Sequence, residues 1–121
     1  ERLRGVEVAR RTESDGQVVA ALLETVRYDA NLNVRLAAVD ALSDWLDRPQ
    51  VSAGLTEALE YQDAPLMQVT IADRLLEGRV AGSSAAVMRL LEREGLDPLV
   101  RDHLAMVLEE TDAAAPRPQV L

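Results

Sequence analysis

One short sequence is met three times in this chain. Asn33-Val34-Arg35-Leu36-Ala37-Ala38-Val39-Asp40-Ala41-Leu42 returns in worn form after 33 residues and again after another 33: Val34 falls on Met67 and Val100, Arg35 on Gln68 and Arg101, Ala38 on Ile71 and Leu104, Leu42 on Leu75 and Leu108, and Asp40 on Asp73. A recurrence of this kind marks units that bury their apolar faces by stacking on one another. It predicts an all-α chain of three stacked helix pairs over about residues 16–111.

Helical spacing fills in the pairs. In the first pair a helix over 17–27 carries Val18, Val19, Leu22, Leu23 and Val26, and a second runs from a cap at Asn33 to about Asp47. That second helix is apolar on two faces, with Val34, Ala38, Ala41, Leu42 and Trp45 on one and Leu36, Val39 and Leu46 on the other. It should lie between its own partner and the next pair. The second pair reads 51–61, with Pro49 in its first turn, and 65–77, with Gly78 as a left-handed stop. Gly54 replaces Ala21 and lets neighbouring helices approach closely. The third pair reads 83–94 and 98–111, where Asp102 replaces Leu36 and Val69 and so wets the last outer face. Residues 1–15 read as an extension, either a frayed helix or an extended arm, with Ser14-Asp15-Gly16 capping the helix over 17–27; residues 112–121 read as a flexible tail. A chain that opens on Glu1 is read as a piece of a longer protein.

The first pair holds Asp29 six residues before Arg35 in Asp-x-Asn-x-Asn-Val-Arg-Leu-Ala-Ala-Val-Asp-Ala-Leu, which resembles the HEAT-like repeat; ankyrin and tetratricopeptide patterns are missing. The resemblance implies a right-handed α-solenoid and gives Asp29, Arg35, Gln68 and Arg101 the role of a structural polar ladder. The segment from Glu1-Arg2-Leu3-Arg4-Gly5-Val6 onward is also similar to the C-terminal domain of bacterial transmembrane anti-sigma-like zinc-finger regulators. That likeness implies a regulatory parent protein with a transmembrane helix and places this domain outside the cytoplasm.

Charge and chemistry narrow the function classes. The net charge is −8, so nucleic acid is not an expected partner, since phosphate binding needs clustered Lys and Arg. No cysteine is present and His103 is the single histidine. With no Gly-x-Ser-x-Gly elbow, no His-x-x-x-His and no Gly-rich phosphate loop, an enzyme, a metal and a cofactor are all unexpected. HEAT-like repeats also occur in bilin lyases and in a DNA glycosylase family, but the cysteine or basic groove those chemistries would use is missing. His103 reads as solvated, and Tyr28 and Tyr61 as packing over the turns. No apolar run reaches the roughly 20 residues of a membrane span.

What remains is a carboxylate stripe. Residues 33, 37, 40 and 44 share a helix face, and the 33-residue period carries that face to Asp73, Glu77, His103 and Glu110. Asp40, Asp44, Asp73, Glu77, His103 and Glu110 are the expected contacts for a basic protein or peptide, with Leu66, Leu99 and Met106 adding apolar contact. The function expected is a non-catalytic protein–protein interaction or sensory module. The alternatives are a structural spacer or homo-oligomerisation domain, then an accessory domain of an enzyme.

Overall fold

The computed structural model describes the backbone of residues 2–114 and the side chains of residues 14–112. Every regular element among them is a helix: α1 (Arg2–Tyr28), α2 (Leu32–Ser43), α3 (Pro49–Tyr61), α4 (Pro65–Glu77), α5 (Ser83–Leu91) and α6 (Pro98–Ala114). The starts of α2, α4 and α6 at 32, 65 and 98 are 33 residues apart. Contacts run in two series: α1 touches α3 and α3 touches α5, while α2 touches α4 and α4 touches α6. Cross-contacts from α1 to α2, α3 to α4 and α5 to α6 close the core between them.

That core is aliphatic. Leu42, Leu55, Leu59, Met67, Ile71, Leu75 and Leu104 are fully buried, with Val19, Val26, Val39 and Val51 filling between them. Each such side chain contributes about 1.5–3 kcal/mol relative to leaving it in water. Packing therefore carries the short helices, of which α5 has only nine residues and would not persist alone.

Several local expectations are corrected. Residues 2–15 belong to α1, which runs unbroken through Gly16. Asp15 does not cap; its carboxylate pairs with Arg48 at 3.5 Å, so a tertiary contact takes the group that would have started the helix. Asn31, not Asn33, caps α2. Its Oδ1 accepts from the Val34 backbone N–H at 3.2 Å, and its own N–H donates to Asp29 Oδ1 at 2.8 Å. α2 then stops at Ser43, before a turn over 44–47.

Gly78 is right-handed, with φ −76°. The left-handed residue is Arg79, φ 52°, and the bonds Val80 N–H to Leu75 O and Arg79 N–H to Leu76 O, both 3.1 Å, close a Schellman turn around it. Gly78 instead leaves room for a neighbour: a Cβ there would stand 2.7 Å from Leu46 Cδ1, whose methyl would have to move. α5 ends at Leu91 rather than Glu94, and α6 continues past Thr111 to Ala114; the rest of the expected tail, residues 115–121, lies outside the described residues. Val34 and Ala41, expected in the core, are exposed.

Candidate functional site

The polar groups at the turns joining α1 to α2, α3 to α4 and α5 to α6 are built from the 33-residue register. Arg35 donates from Nε to Val26 O at 3.1 Å, Gln68 donates from Nε2 to Gln62 O at 2.8 Å, and Arg101 donates from Nη1 to Leu91 O at 2.6 Å. All three reach back to the terminal region of the preceding helix, where carbonyls lack intrahelical partners. Asp29 stays local, bonded to Asn31, and makes no bond to Arg35 among the described residues.

The sequence pattern did not disclose the residue that joins these bonds. Gln62 is buried; its Oε1 accepts from Arg35 Nη2, its Nε2 donates to Val26 O at 3.4 Å, and its carbonyl accepts from both Gln68 and Arg93, the latter at 2.6 Å. Gln62 occupies the register position of Asp29, which was the available signal.

Tyr28 and Tyr61 do not pack over the turns. Both are exposed, and the Arg27 guanidinium sits over the two rings, 5.3 Å and 4.9 Å from their centroids. A cation over an aromatic face is favourable even in water, and here it joins the end of α1 to the end of α3.

The six stripe residues line two clefts that share Glu77. One, about 370 Å³, is bounded by Asp40, Asp44, Leu46, Arg74 and Glu77. The other, about 650 Å³, is bounded by Asp73, Glu77, Arg79, His103, Met106 and Glu110, with Leu76, Val80 and Val107 among its apolar lining. Leu66 and Leu99 are exposed but line neither cleft.

Arg74 and His103 divide the stripe in a way the spacing did not disclose. Arg74 reaches Asp40 across to α2 and Glu77 on its own helix, each at 3.4 Å. His103, expected in solvent, is only partly exposed and has a partner: its Nε2 lies 2.9 Å and 3.0 Å from the two Asp73 oxygens, and both side chains are partly buried. Three of the five carboxylates are thus engaged, leaving Asp44 and Glu110 without an ion pair among the described residues.

The placement of the acids works against helix stability. Asp44 is the C-cap of α2 and Glu77 is the last residue of α4, where the macrodipole is negative and a carboxylate costs about 0.3–1 kcal/mol. Among the described residues no three of His, Asp and Glu converge as metal ligands, and no helix is long and apolar enough to cross a membrane. No family model, curated protein or solved structure matches this chain.

Proposed function

We propose that this chain is a right-handed solenoid of three HEAT-like helix pairs, part of a larger regulatory protein, that binds a basic peptide or protein segment without catalysing a reaction on it. The three-pair reading is supported by the equal spacing of α2, α4 and α6 and by the two series of contacts. The observation that carries the binding reading is that Asp40, Asp44, Asp73, Glu77, His103 and Glu110 line two clefts joined at Glu77. Five carboxylates there face two arginines, Arg74 and Arg79. Net negative charge beside the apolar side chains of Met106 and Val107 suits a segment that alternates Lys or Arg with aliphatic side chains.

The test uses the two acids that hold no structural contact. Isothermal titration of the intact chain with a Lys/Leu-alternating dodecapeptide should show binding, and a Glu/Leu peptide of equal length should not bind. Asp44→Lys with Glu110→Lys should lower affinity at least about tenfold, equivalent to about 1.4 kcal/mol, without lowering the melting temperature, which the lysine at the C-cap of α2 should if anything raise. Added salt should slow association more than it speeds release. Equal affinity of the wild type and the double variant would refute the clefts as the binding site. Reversing Asp40 or Asp73 would be uninformative, because each holds a contact between helices.

A further inference from the structure

We infer that the part of the larger cleft beside the start of α5 is a carboxylate-binding subsite, formed by Arg79, the Ser83 hydroxyl and the backbone N–H of Ser84. This rests on the binding function proposed above and narrows it: the basic segment carries one acidic group, which seats here.

Arg79, Ser83 and Ser84 all line the cleft of about 650 Å³. Arg79 is exposed and holds no ion pair among the described residues, whereas every other arginine with a described side chain is engaged by a carboxylate or a backbone carbonyl. Among the described residues it is also the one non-glycine with a positive φ, 52°, a conformation that glycine adopts without strain. An unpaired guanidinium held where glycine would suit the backbone better is an outlier of the kind found at binding sites.

Two donors accompany it. Ser83 is 3% exposed, and its hydroxyl has no hydrogen-bond partner among the described residues. That hydroxyl is not sealed in, since the side-chain polar atom that is both enclosed and unpartnered there is Arg74 Nε. The small part of Ser83 that stays open therefore includes the hydroxyl, and it opens on the cleft that Ser83 lines. A nearly buried hydroxyl without a partner is costly, and an oxygen acceptor in the cleft supplies one.

The second donor follows from how α5 begins. Gly82 precedes it and offers no capping side chain. Ser83 N–H donates to Val80 O at 3.1 Å and Ala86 N–H to Gly82 O at 3.0 Å, which leaves the N–H groups of Ser84 and Ala85 without a backbone acceptor. Asn31 and Asp97 accept from the first turns of α2 and α6, and Pro49 and Pro65 open α3 and α4; α5 has neither device. Open N–H groups at the positive end of a helix favour an anion.

The rest of the lining selects which anion. Asp73, Glu77 and Glu110 border the same cleft, and a phosphate group, carrying about −1.5 to −2 at pH 7, meets roughly twice the repulsion that a carboxylate does. A single negative charge among basic side chains suits both parts of the lining. Its source is the C-terminus of the segment or an Asp or Glu side chain within it.

Isothermal titration tests this with the Lys/Leu-alternating dodecapeptide as its free C-terminal acid, as its C-terminal amide, and as an amide with one Leu replaced by Glu. The free acid or the Glu-bearing amide should bind at least about tenfold more tightly than the plain amide; the first result assigns the terminus, the second a side chain. Arg79→Gly, which keeps the left-handed turn, should abolish that preference by weakening the acid-bearing peptide and strengthening the plain amide. Ser83→Ala should reduce the preference with Arg79 in place. Equal binding of all the peptides by the wild type would overturn the subsite and leave the proposed function standing. If no peptide binds, the proposed function falls, and the subsite is judged alone by NMR of the intact chain titrated with sodium acetate against sodium chloride at equal ionic strength. Acetate should then shift the Ser84 and Ala85 amide resonances, and should not do so in Arg79→Gly. No acetate-specific shift, or a stronger response to inorganic phosphate than to acetate, would overturn the inference.

Discussion

Gly54 offers a direct measurement of how closely α1 and α3 approach. A methyl group added there would stand 2.6 Å from Leu23 Cδ1, 2.7 Å from Cδ2 and 3.2 Å from Cγ. Considered within its own helix, Gly54→Ala should stabilise by about 1 kcal/mol, the difference in helix propensity. Against that stands overpacking, which costs about 1–3 kcal/mol. Leu23 is packed on the core, and because both its methyls and its branch carbon obstruct the space, turning one methyl aside does not clear it. Leu23 must leave its seat or the helices must part.

The net expectation for Gly54→Ala is therefore a loss of about 0–2 kcal/mol. In a Leu23→Ala background the obstruction is gone, and the same substitution should gain about 1 kcal/mol. The coupling between the two sites is then about 1–3 kcal/mol, within the range found for residues in contact. Urea unfolding of the four proteins, followed by circular dichroism at one fixed protein concentration, measures each stability. If Gly54→Ala has the same effect in both backgrounds, the glycine is not there to admit α1, and close approach of the two helices does not explain it.

Two further predictions concern the turns. Gln62→Leu removes the acceptor of Arg35 Nη2 and the donor to Val26 O in a buried setting, and should cost about 1–3 kcal/mol in the same urea assay; a loss below about 0.5 kcal/mol, the noise of an ordinary surface change, would show that Gln62 is not the junction of these bonds. Ala64 is the N-cap of α4 and has no capping side chain, whereas Asn31 and Asp97, 33 residues to either side, accept from Val34 and Leu99 N–H. Ala64→Asn should therefore raise stability by about 0.5–2 kcal/mol, and a drop in thermal midpoint would contradict the cap geometry.

Periodicity by itself determined the helical class, the bounds of α4, and most of the aliphatic residues that enter the core, though not Val18, Val34 and Ala41, because burying Leu42 and Leu75 at equal intervals is a property that spacing alone encodes. It also grouped the carboxylates of α2, α4 and α6 on one face. Sequence signals failed where local chemistry had two solutions. Asn31 and Asn33 are equally good caps as residue types, and the Asp29 side chain selects the first. Ser14-Asp15-Gly16 is a sound helix start until Arg48 engages Asp15. Gly78 reads as a left-handed stop, yet it is right-handed and lies close against a Leu46 methyl, and the left-handed turn passes to Arg79.

Only the tertiary structure decided how the charges are spent. That Arg74 binds Asp40 and Glu77, that His103 binds Asp73, and that Gln62 joins three helix pairs all depend on side chains distant in the chain meeting within hydrogen-bond reach, a separation fixed by packing between helices and invisible to a pattern within one. The exposure of Val18, Val34 and Ala41 in the first pair belongs to the same category. They are residues of an interior face by type, and what makes them a surface is that no helix among the described residues lies against them.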